Sequence, residues 1–137
     1  PSGETSGIKV NFSGALVVEP GINVVVVDFD VSRSFVFQGS ANNPNGVTFK
    51  PVIHGAVKDE SGSISGTVTP ASSHATLFAM LGADTIRTAF ADTITGVYTL
   101  HFLPAGTYVV TVQGTGVVGA KTVILPAAKD TTGINFP

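Results

Sequence analysis

The sequence contains no cysteine and no tryptophan, and it has a single methionine among its 137 residues. The absence of cysteine excludes a disulfide scaffold, a thiol nucleophile and a thiolate metal site. Charged residues are also scarce, at 12% against about 25% in an ordinary soluble domain. With only 7 basic and 9 acidic residues, the chain lacks the clustered positive charge that nucleic-acid binding needs. No apolar run approaches the roughly 20 residues of a membrane-spanning helix.

Valine is the most prominent apolar residue, with 20 copies against 6 of leucine. This β-branched excess favours strands over helices. Serine and threonine number 27, with 16 glycines and 8 prolines, so turns are frequent and the polar surface is rich in hydroxyl groups. A surface with so little charge is typical of a chain covered by neighbours or glycans. We therefore predict an all-β protein located outside the cell or at the cell surface. The absence of an initiator methionine and of a signal peptide indicates a processed or trimmed product.

Alternating apolar and polar residues recur along the chain in short segments, which predicts strands. We expect these strands to form two units, because the segment Lys58–Gly62 is the most hydrophilic stretch and is the predicted boundary. It divides the chain into residues 1–57 and residues 58–137. At this length both units are small, and we expect each to resemble a β-sandwich.

The N-terminal segment has the clearest strand pattern. Three apolar residues alternate with three polar ones; the apolar set is Ile8, Val10 and Phe12, and the polar set is Lys9, Asn11 and Ser13. Because side chains of a strand point alternately to opposite faces, this segment has one apolar face and one polar face.

Three further segments give local expectations. The near-continuous apolar run Ile22–Phe29 is typical of a central strand buried on both faces. The segment 39–46 is rich in Gly, Asn, Ser and Pro, which predicts a loop. Residues 73–81 fit either a helix or a strand, and the flanking Thr and Ser residues favour the strand.

Residues 63–137 resemble the carboxypeptidase regulatory-like domains. The resemblance is carried by Ile64–Val68, by Gly96–Leu100 and by Leu103–Tyr108, whose Leu-Pro-Ala-Gly-Thr-Tyr sequence is the most specific element. It implies a seven-stranded sandwich of the transthyretin (prealbumin-like) type, with a turn at Pro104–Gly106 and with both tyrosines facing the core. The chain departs from the family by placing three residues, rather than two, between Asp92 and Gly96.

Residues 1–57 resemble the C-terminal half of a domain of unknown function from bacterial and archaeal surface lipoproteins. The matching stretches are residues 1–9, 28–30, 33–34 and 50–53. In that family the motif of residues 1–9 lies in the middle of the domain, so the first half of the sandwich would be missing. Neither resemblance implies a catalytic residue.

The glycine pattern of residues 114–119 fits a dinucleotide-binding fingerprint, but the residues that follow predict a strand rather than the required helix. A glycine-rich hairpin is the better interpretation. The three histidines, His54, His74 and His101, lie far apart and have no second ligand at metal-binding spacing. We therefore expect no catalytic residue, no metal and no cofactor, and we predict that the chain is not an enzyme.

Asp28 and Asp30 lie on the same side of one predicted strand, with Arg33 shortly after them. Paired carboxylates can bind Ca²⁺, but no ligand-rich loop accompanies these two. A salt bridge with Arg33 at the end of the strand is the preferred interpretation.

Asn11-Phe12-Ser13 is a sequon for N-glycosylation, with Asn11 on the polar face of its strand. Asn11 is thus a candidate glycan site. The many Ser and Thr residues offer further sites for covalent sugars.

Two functions remain open. The preferred one is a structural subunit of an extracellular or cell-surface fibre, in which each copy donates the strand containing Ile8, Val10 and Phe12 to the next copy, head to tail. The alternative is a non-catalytic module of a surface lipoprotein that binds glycans or a protein. Such a site needs exposed aromatic side chains, and most of the 9 Phe and 2 Tyr residues are expected to face inward. The chain could also be a fragment whose own upstream sequence supplies the missing strands.

Overall fold

The computed structural model describes residues 10–12, 18, 20–40 and 43–137. These residues form mostly β-strands with almost no helix, which confirms the all-β class. Within this described part, no helix is both long and apolar enough to cross a membrane. The strands before the predicted boundary are β1 (Asn11–Phe12), β2 (Val25–Phe29), β3 (Phe35–Ser40), β4 (Asn43–Phe49) and β5 (Ile53–Val57), with a one-turn helix α1 (Val31–Ser34). After a 3-10 turn (Lys58–Glu60) come β6 (Gly62–Thr67), a second 3-10 turn (Ala71–Ser73), β7 (Thr76–Leu81), β8 (Asp84–Phe90), β9 (Val97–Leu103), β10 (Gly106–Gly114) and β11 (Val117–Leu125).

The strands after residue 61 form two antiparallel arrangements. One is a four-stranded sheet in the order β11–β10–β7–β8, and the other is the pair β6–β9. The C-terminal segment lies parallel to β6, where Thr131 and Phe136 form isolated bridges with Ile64 and Val68. The prediction of a strand within residues 73–81 is confirmed by β7.

One cluster of buried side chains lies between these two arrangements. The β6–β9 pair contributes Ile64 and Leu100 to this cluster, and the four-stranded sheet contributes Leu77 and Val110. Each of these residues is completely buried. Burial of these apolar side chains is the main stabilising term available to this part of the chain.

Both tyrosines face this core, as the sequence predicts. Tyr98 and Tyr108 are 2% and 0% exposed. Each hydroxyl donates to a backbone carbonyl, Tyr98 to Ile134 at 2.6 Å and Tyr108 to Pro104 at 2.8 Å. A buried phenol needs such a partner, since an unpaired hydroxyl loses its hydration without compensation. Burial raises the pKa of Tyr98 to about 12.

The glycine-rich segment 114–119 is a hairpin, as predicted. Thr115 and Gly116 form the turn between β10 and β11, and Gly116 has a φ of 76°, which a residue with a side chain adopts only at a cost. The extra residue between Asp92 and Gly96 is accommodated by a turn. There one carboxylate oxygen of Asp92 accepts from the backbone N–H groups of Ile94 (3.0 Å) and Thr95 (2.7 Å).

The strands before residue 58 form a three-stranded sheet and a separate hairpin. The sheet has the order β1–β5–β2, with β1 parallel to β5 and β2 antiparallel to it. The hairpin pairs β3 with β4. The prediction of a loop over 39–46 is wrong, because pairing continues to Ser40 and Asn43. Gly39, with a φ of 94°, sits at a register shift that lets the two strands stay paired through these turn-prone residues.

The expectation for the apolar run 22–29 is also wrong. The run forms the edge strand β2 over Val25–Phe29, and its residues alternate between exposed and half-buried. In the described part of the chain, β5 is the only strand that is hydrogen-bonded to β2. This continuous apolar run therefore does not lie in the middle of a sheet.

The close contact of β6 with the C-terminal segment gives a test of the fold. A Cβ atom at Gly66 would overlap the backbone carbonyl of Ile134, which cannot move without breaking the bridges to β6. We expect Gly66→Ala to lower the free energy of unfolding by about 1–3 kcal/mol, measured by denaturant titration. Gly106→Ala is the control, since its Cβ would meet the end of the exposed Leu81 side chain at 3.2 Å and the Tyr108 ring at an ordinary contact distance of 3.5 Å. Equal effects of the two substitutions would contradict the contact.

Candidate functional site

The N-terminal sheet exposes one apolar face. Because paired residues of neighbouring strands point to the same side, the β2–β5 register places Val25, Val27 and Phe29 on one face together with the β5 residues opposite them. These three side chains are 41%, 58% and 41% exposed. An apolar strand face of this kind is normally covered by a second layer.

The β3–β4 hairpin continues this face. Its pairs Phe35/Phe49 and Phe37/Val47 lie on one side of the hairpin. The ring centre of Phe49 lies 5.7 Å from that of Phe29 and 5.2 Å from that of Phe35, which joins the hairpin to β2. We call these seven residues the apolar face: Val25, Val27, Phe29, Phe35, Phe37, Val47 and Phe49.

The apolar face is large for a chain of this size. Every member is exposed, from 41% for Val25 and Phe29 to 71% for Phe37. Together the seven side chains leave roughly 600 Å² accessible, at the upper limit of the largest patch on a typical monomer. The face also contains no charged side chain. Such a patch marks an interaction surface.

The expectation that most aromatic residues face inward is therefore wrong for phenylalanine. Phe136 is 3% exposed, but Phe12 and Phe90 are exposed along with the four phenylalanines of the apolar face. Alternation along a strand separates two faces correctly, but it does not say which of them a second layer covers.

The N-terminal strand β1 lies at the opposite edge of the same sheet. Asn11 pairs with His54 and Phe12 with Gly55 in parallel register. The Phe12 ring packs directly on Gly55. A Cβ atom at position 55 would collide with this ring, so the contact requires glycine. Of the predicted donor residues, Val10 is half-buried, Phe12 is 36% exposed, and Ile8 lies outside the described residues.

The other face of the sheet carries a polar cluster directed at β8. Asp30 caps α1, and one of its carboxylate oxygens accepts from the backbone N–H of Arg33 at 3.1 Å and from the hydroxyls of Ser32 and Thr88 at 2.7 Å. Asp30 is only 5% exposed. These bonds connect the N-terminal sheet to β8, and therefore the two predicted units to each other.

The expected salt bridge from these aspartates to Arg33 is not formed. Asp28 instead faces Arg87 of β8, with its Oδ2 atom 3.7 Å from the Arg87 Nε atom. The Arg33 guanidinium donates to the backbone carbonyl of Thr85 at 2.8 Å. The short helix α1 turns the chain between Asp30 and Arg33, so their side chains do not pair along a strand as the sequence suggested.

His54 shares the side of the sheet on which Asp28 lies. Burial, followed by the positive charges of Arg87 and Arg33, lowers the pKa of His54 against the opposing effect of Asp30 and Asp28. Four buried polar atoms of this cluster lack a hydrogen-bond partner: Asp30 Oδ2, His54 Nε2, Arg87 Nε and Arg87 Nη2. We call the cluster of Asp28, Asp30, His54 and Arg87 the polar junction.

No group of three or more His, Cys, Asp or Glu side chains in the described ranges could hold a metal ion. No sequence pattern indicates that Arg87 belongs to the polar junction or that Thr88 bonds to Asp30, since an arginine flanked by threonine in a strand is usually an exposed residue. Only the packing of β8 against the N-terminal sheet brings them beside the aspartates.

No protein-family model and no curated protein matches this chain. The resemblances of residues 1–57 and 63–137 therefore remain predictions.

The polar junction predicts a pH dependence of stability. His54 has an ordinary pKa of 6.5 in the unfolded chain and a lower one when folded. As the pH falls through 6.5 toward the lower pKa of the folded chain, the unfolded chain binds the proton first. The free energy of unfolding therefore decreases. We expect the wild type to lose more stability between about pH 7.5 and about pH 5.5 than His54→Gln does, as measured by denaturant titration. Parallel pH profiles for the two proteins would contradict the assignment.

Proposed function

We propose that the chain is a structural subunit of an extracellular or cell-surface fibre that assembles head to tail by strand donation. The observation that carries the proposal is the apolar face, whose seven residues are each at least 41% exposed. Exposing roughly 600 Å² of valine and phenylalanine to water is unfavourable, and burial against another copy removes that cost.

The N-terminal segment is the proposed donor. Ile8, Val10 and Phe12 have strand alternation, and within the described residues this segment pairs with its own sheet through Asn11 and Phe12 of the edge strand β1. When the same segment pairs with a neighbour, main-chain hydrogen bonds supply affinity and the alternate side chains supply specificity.

Donation from one copy to the next is a head-to-tail contact. Such contacts propagate into an open filament unless the rotation between copies closes a ring. The low charge and the hydroxyl-rich composition are consistent with a subunit that is largely covered by neighbours and by sugars, including a glycan on Asn11. In this proposal the chain has no catalytic activity.

The second unit would serve as the rigid body of the subunit. Its strands β6 to β11 together with the C-terminal segment give seven extended pieces around one core, which supports a transthyretin-like sandwich. A rigid body of this kind would transmit tension along a fibre because each of its strands is hydrogen-bonded to at least one neighbouring strand.

The alternative, a binding module of a surface lipoprotein, draws on the same apolar face. The exposed rings of Phe35, Phe37 and Phe49 would suit an apolar protein partner. A sugar site also needs polar side chains beside the rings, and the apolar face has none. A monodisperse monomer that captures such a partner would favour this alternative.

Electron microscopy of the natural material, together with sedimentation of purified protein, tests the proposal. We expect filaments for the wild type, and only short or monomeric species after deletion of residues 1–13 or in the double variant Val10→Asp/Phe12→Asp. In protein produced without glycosylation, the control Asn11→Asp/Ser13→Asp adds the same charge at the same spacing on the polar face and should still assemble. Filaments that persist unchanged in the apolar-face variant would rule out the donor role.

A further inference from the structure

The outer edge of β2 has a row of unpaired backbone groups. The backbone N–H of Asp30 donates to the Val52 carbonyl and the N–H of Lys58 donates to the Val24 carbonyl, both at 2.9 Å. In an antiparallel pair, successive residues direct their backbone groups alternately toward and away from the partner strand. The even-numbered residues from 24 to 30 therefore bond to β5, and Val25, Val27 and Phe29 direct their N–H and C=O groups outward.

The same three residues belong to the apolar face. Three donors and three acceptors thus line an edge whose side chains are 41%, 58% and 41% exposed. Within the described residues, no strand pairs with this edge. Natural proteins protect such edges with charges, prolines or bulges, and β2 between residues 25 and 29 has only Asp28, whose side chain points to the other face.

We infer that the outer edge of β2 is the acceptor for the donated strand of a second copy of this chain, an inference that rests on the proposed function. The donor residues Ile8, Val10 and Phe12 would align with Val25, Val27 and Phe29, and the donor backbone would pair with the six outward-facing groups. Five consecutive residues on each side, from 8 to 12 and from 25 to 29, give strands of equal length.

The occupant is a second copy because its donor residues Ile8, Val10 and Phe12 are apolar, as is the face beside the β2 edge. The apolar face of roughly 600 Å² approaches the area of about 800 Å² that one partner of a stable complex buries. Three donor side chains enter beside Phe29, whose ring lies 5.7 Å from that of Phe49, so the hairpin adjoins the added strand. The face offers no charge with which a charged partner could pair.

Within the described residues, the donor segment pairs with its own sheet through Asn11 with His54 and through Phe12 with Gly55, and the Phe12 ring packs on Gly55. On the β2 edge it would gain a strand of five residues. The exchange is therefore favourable once the concentration is high enough to offset the lost translational freedom of association.

Proline at position 27 tests the edge directly. Val27→Pro removes one outward N–H and leaves the bonds of β2 to β5 in place, since proline is tolerated where the N–H side of an edge strand faces solvent. Phe90→Pro is the matched control. It replaces an exposed apolar residue at the end of the edge strand β8, and the neighbouring Ala91 N–H bonds inward to the Ala75 carbonyl, so the Phe90 N–H also points outward.

Two measurements follow. In sedimentation, Val27→Pro should prevent filament growth, whereas Phe90→Pro should assemble as the wild type does. In fluorescence anisotropy, a labelled peptide of residues 7–13 is titrated into the full-length variant Val10→Asp/Phe12→Asp, which keeps the acceptor edge but has no functional donor. Adding Val27→Pro to that variant should weaken peptide binding by about tenfold or more.

The two readouts separate this inference from the proposed function. Peptide binding that depends on Val27 in a protein that never forms filaments would support the acceptor edge and refute the fibre. Filaments that need residues 8–12 but tolerate Val27→Pro would support the fibre and overturn the acceptor edge. Loss of assembly and of peptide binding on Phe37→Pro, with Val27→Pro unaffected, would move the acceptor to β3 and overturn the inference as well.

Discussion

Burial of one sheet face against another is the constraint on which this molecule depends. A β-sheet satisfies its backbone groups within itself, but its apolar side chains need a second layer to exclude water. The four-stranded sheet of the second unit has such a layer in β6, β9 and the C-terminal segment, and its core residues Leu77 and Val110 are completely buried. Among the described residues, the sheet β1–β5–β2 has hydrogen-bonded and ionic contacts to β8 on one side, whereas Val25, Val27 and Phe29 on the other side are exposed. Its apolar face is the consequence.

This asymmetry explains why the two faces of the N-terminal sheet differ in chemistry. The face toward β8 carries Asp28 and His54, with Asp30 beyond the end of β2, and it is held by directional hydrogen bonds to Thr88 and by the ion pair with Arg87. Buried polar groups give such a contact a defined geometry, since a displaced carboxylate loses its partners. The opposite face carries apolar residues, with Ile53 of β5 beside the valines and phenylalanines, and these suit an apolar partner.

The polar junction also links the two units mechanically. Asp30 follows β2 directly, and its carboxylate accepts hydrogen bonds from both α1 and β8. Force applied to a strand bound at β2 would therefore reach the second unit through the β2–β5 hydrogen bonds and through Asp30. In a fibre this arrangement distributes the load over backbone bonds rather than over a flexible linker.

The sequence by itself determined the all-β class, the hairpin at residues 114–119 and the strand within 73–81. Each follows from local rules: β-branched composition, turn residues and the period of two along a strand. These rules act within a few residues and need no knowledge of distant contacts.

Only the tertiary structure decided the rest. The run 22–29 has the composition of a central strand, yet strand order makes β2 an edge, and no local pattern encodes strand order. Residues 39–46 have the composition of a loop, but cross-strand hydrogen bonds keep most of them paired. Asp28 faces Arg87 rather than Arg33, across 59 positions of sequence, because β8 packs against the N-terminal sheet. In each case the decisive interaction joins residues far apart in the chain, and a local pattern cannot anticipate which distant surface will meet it.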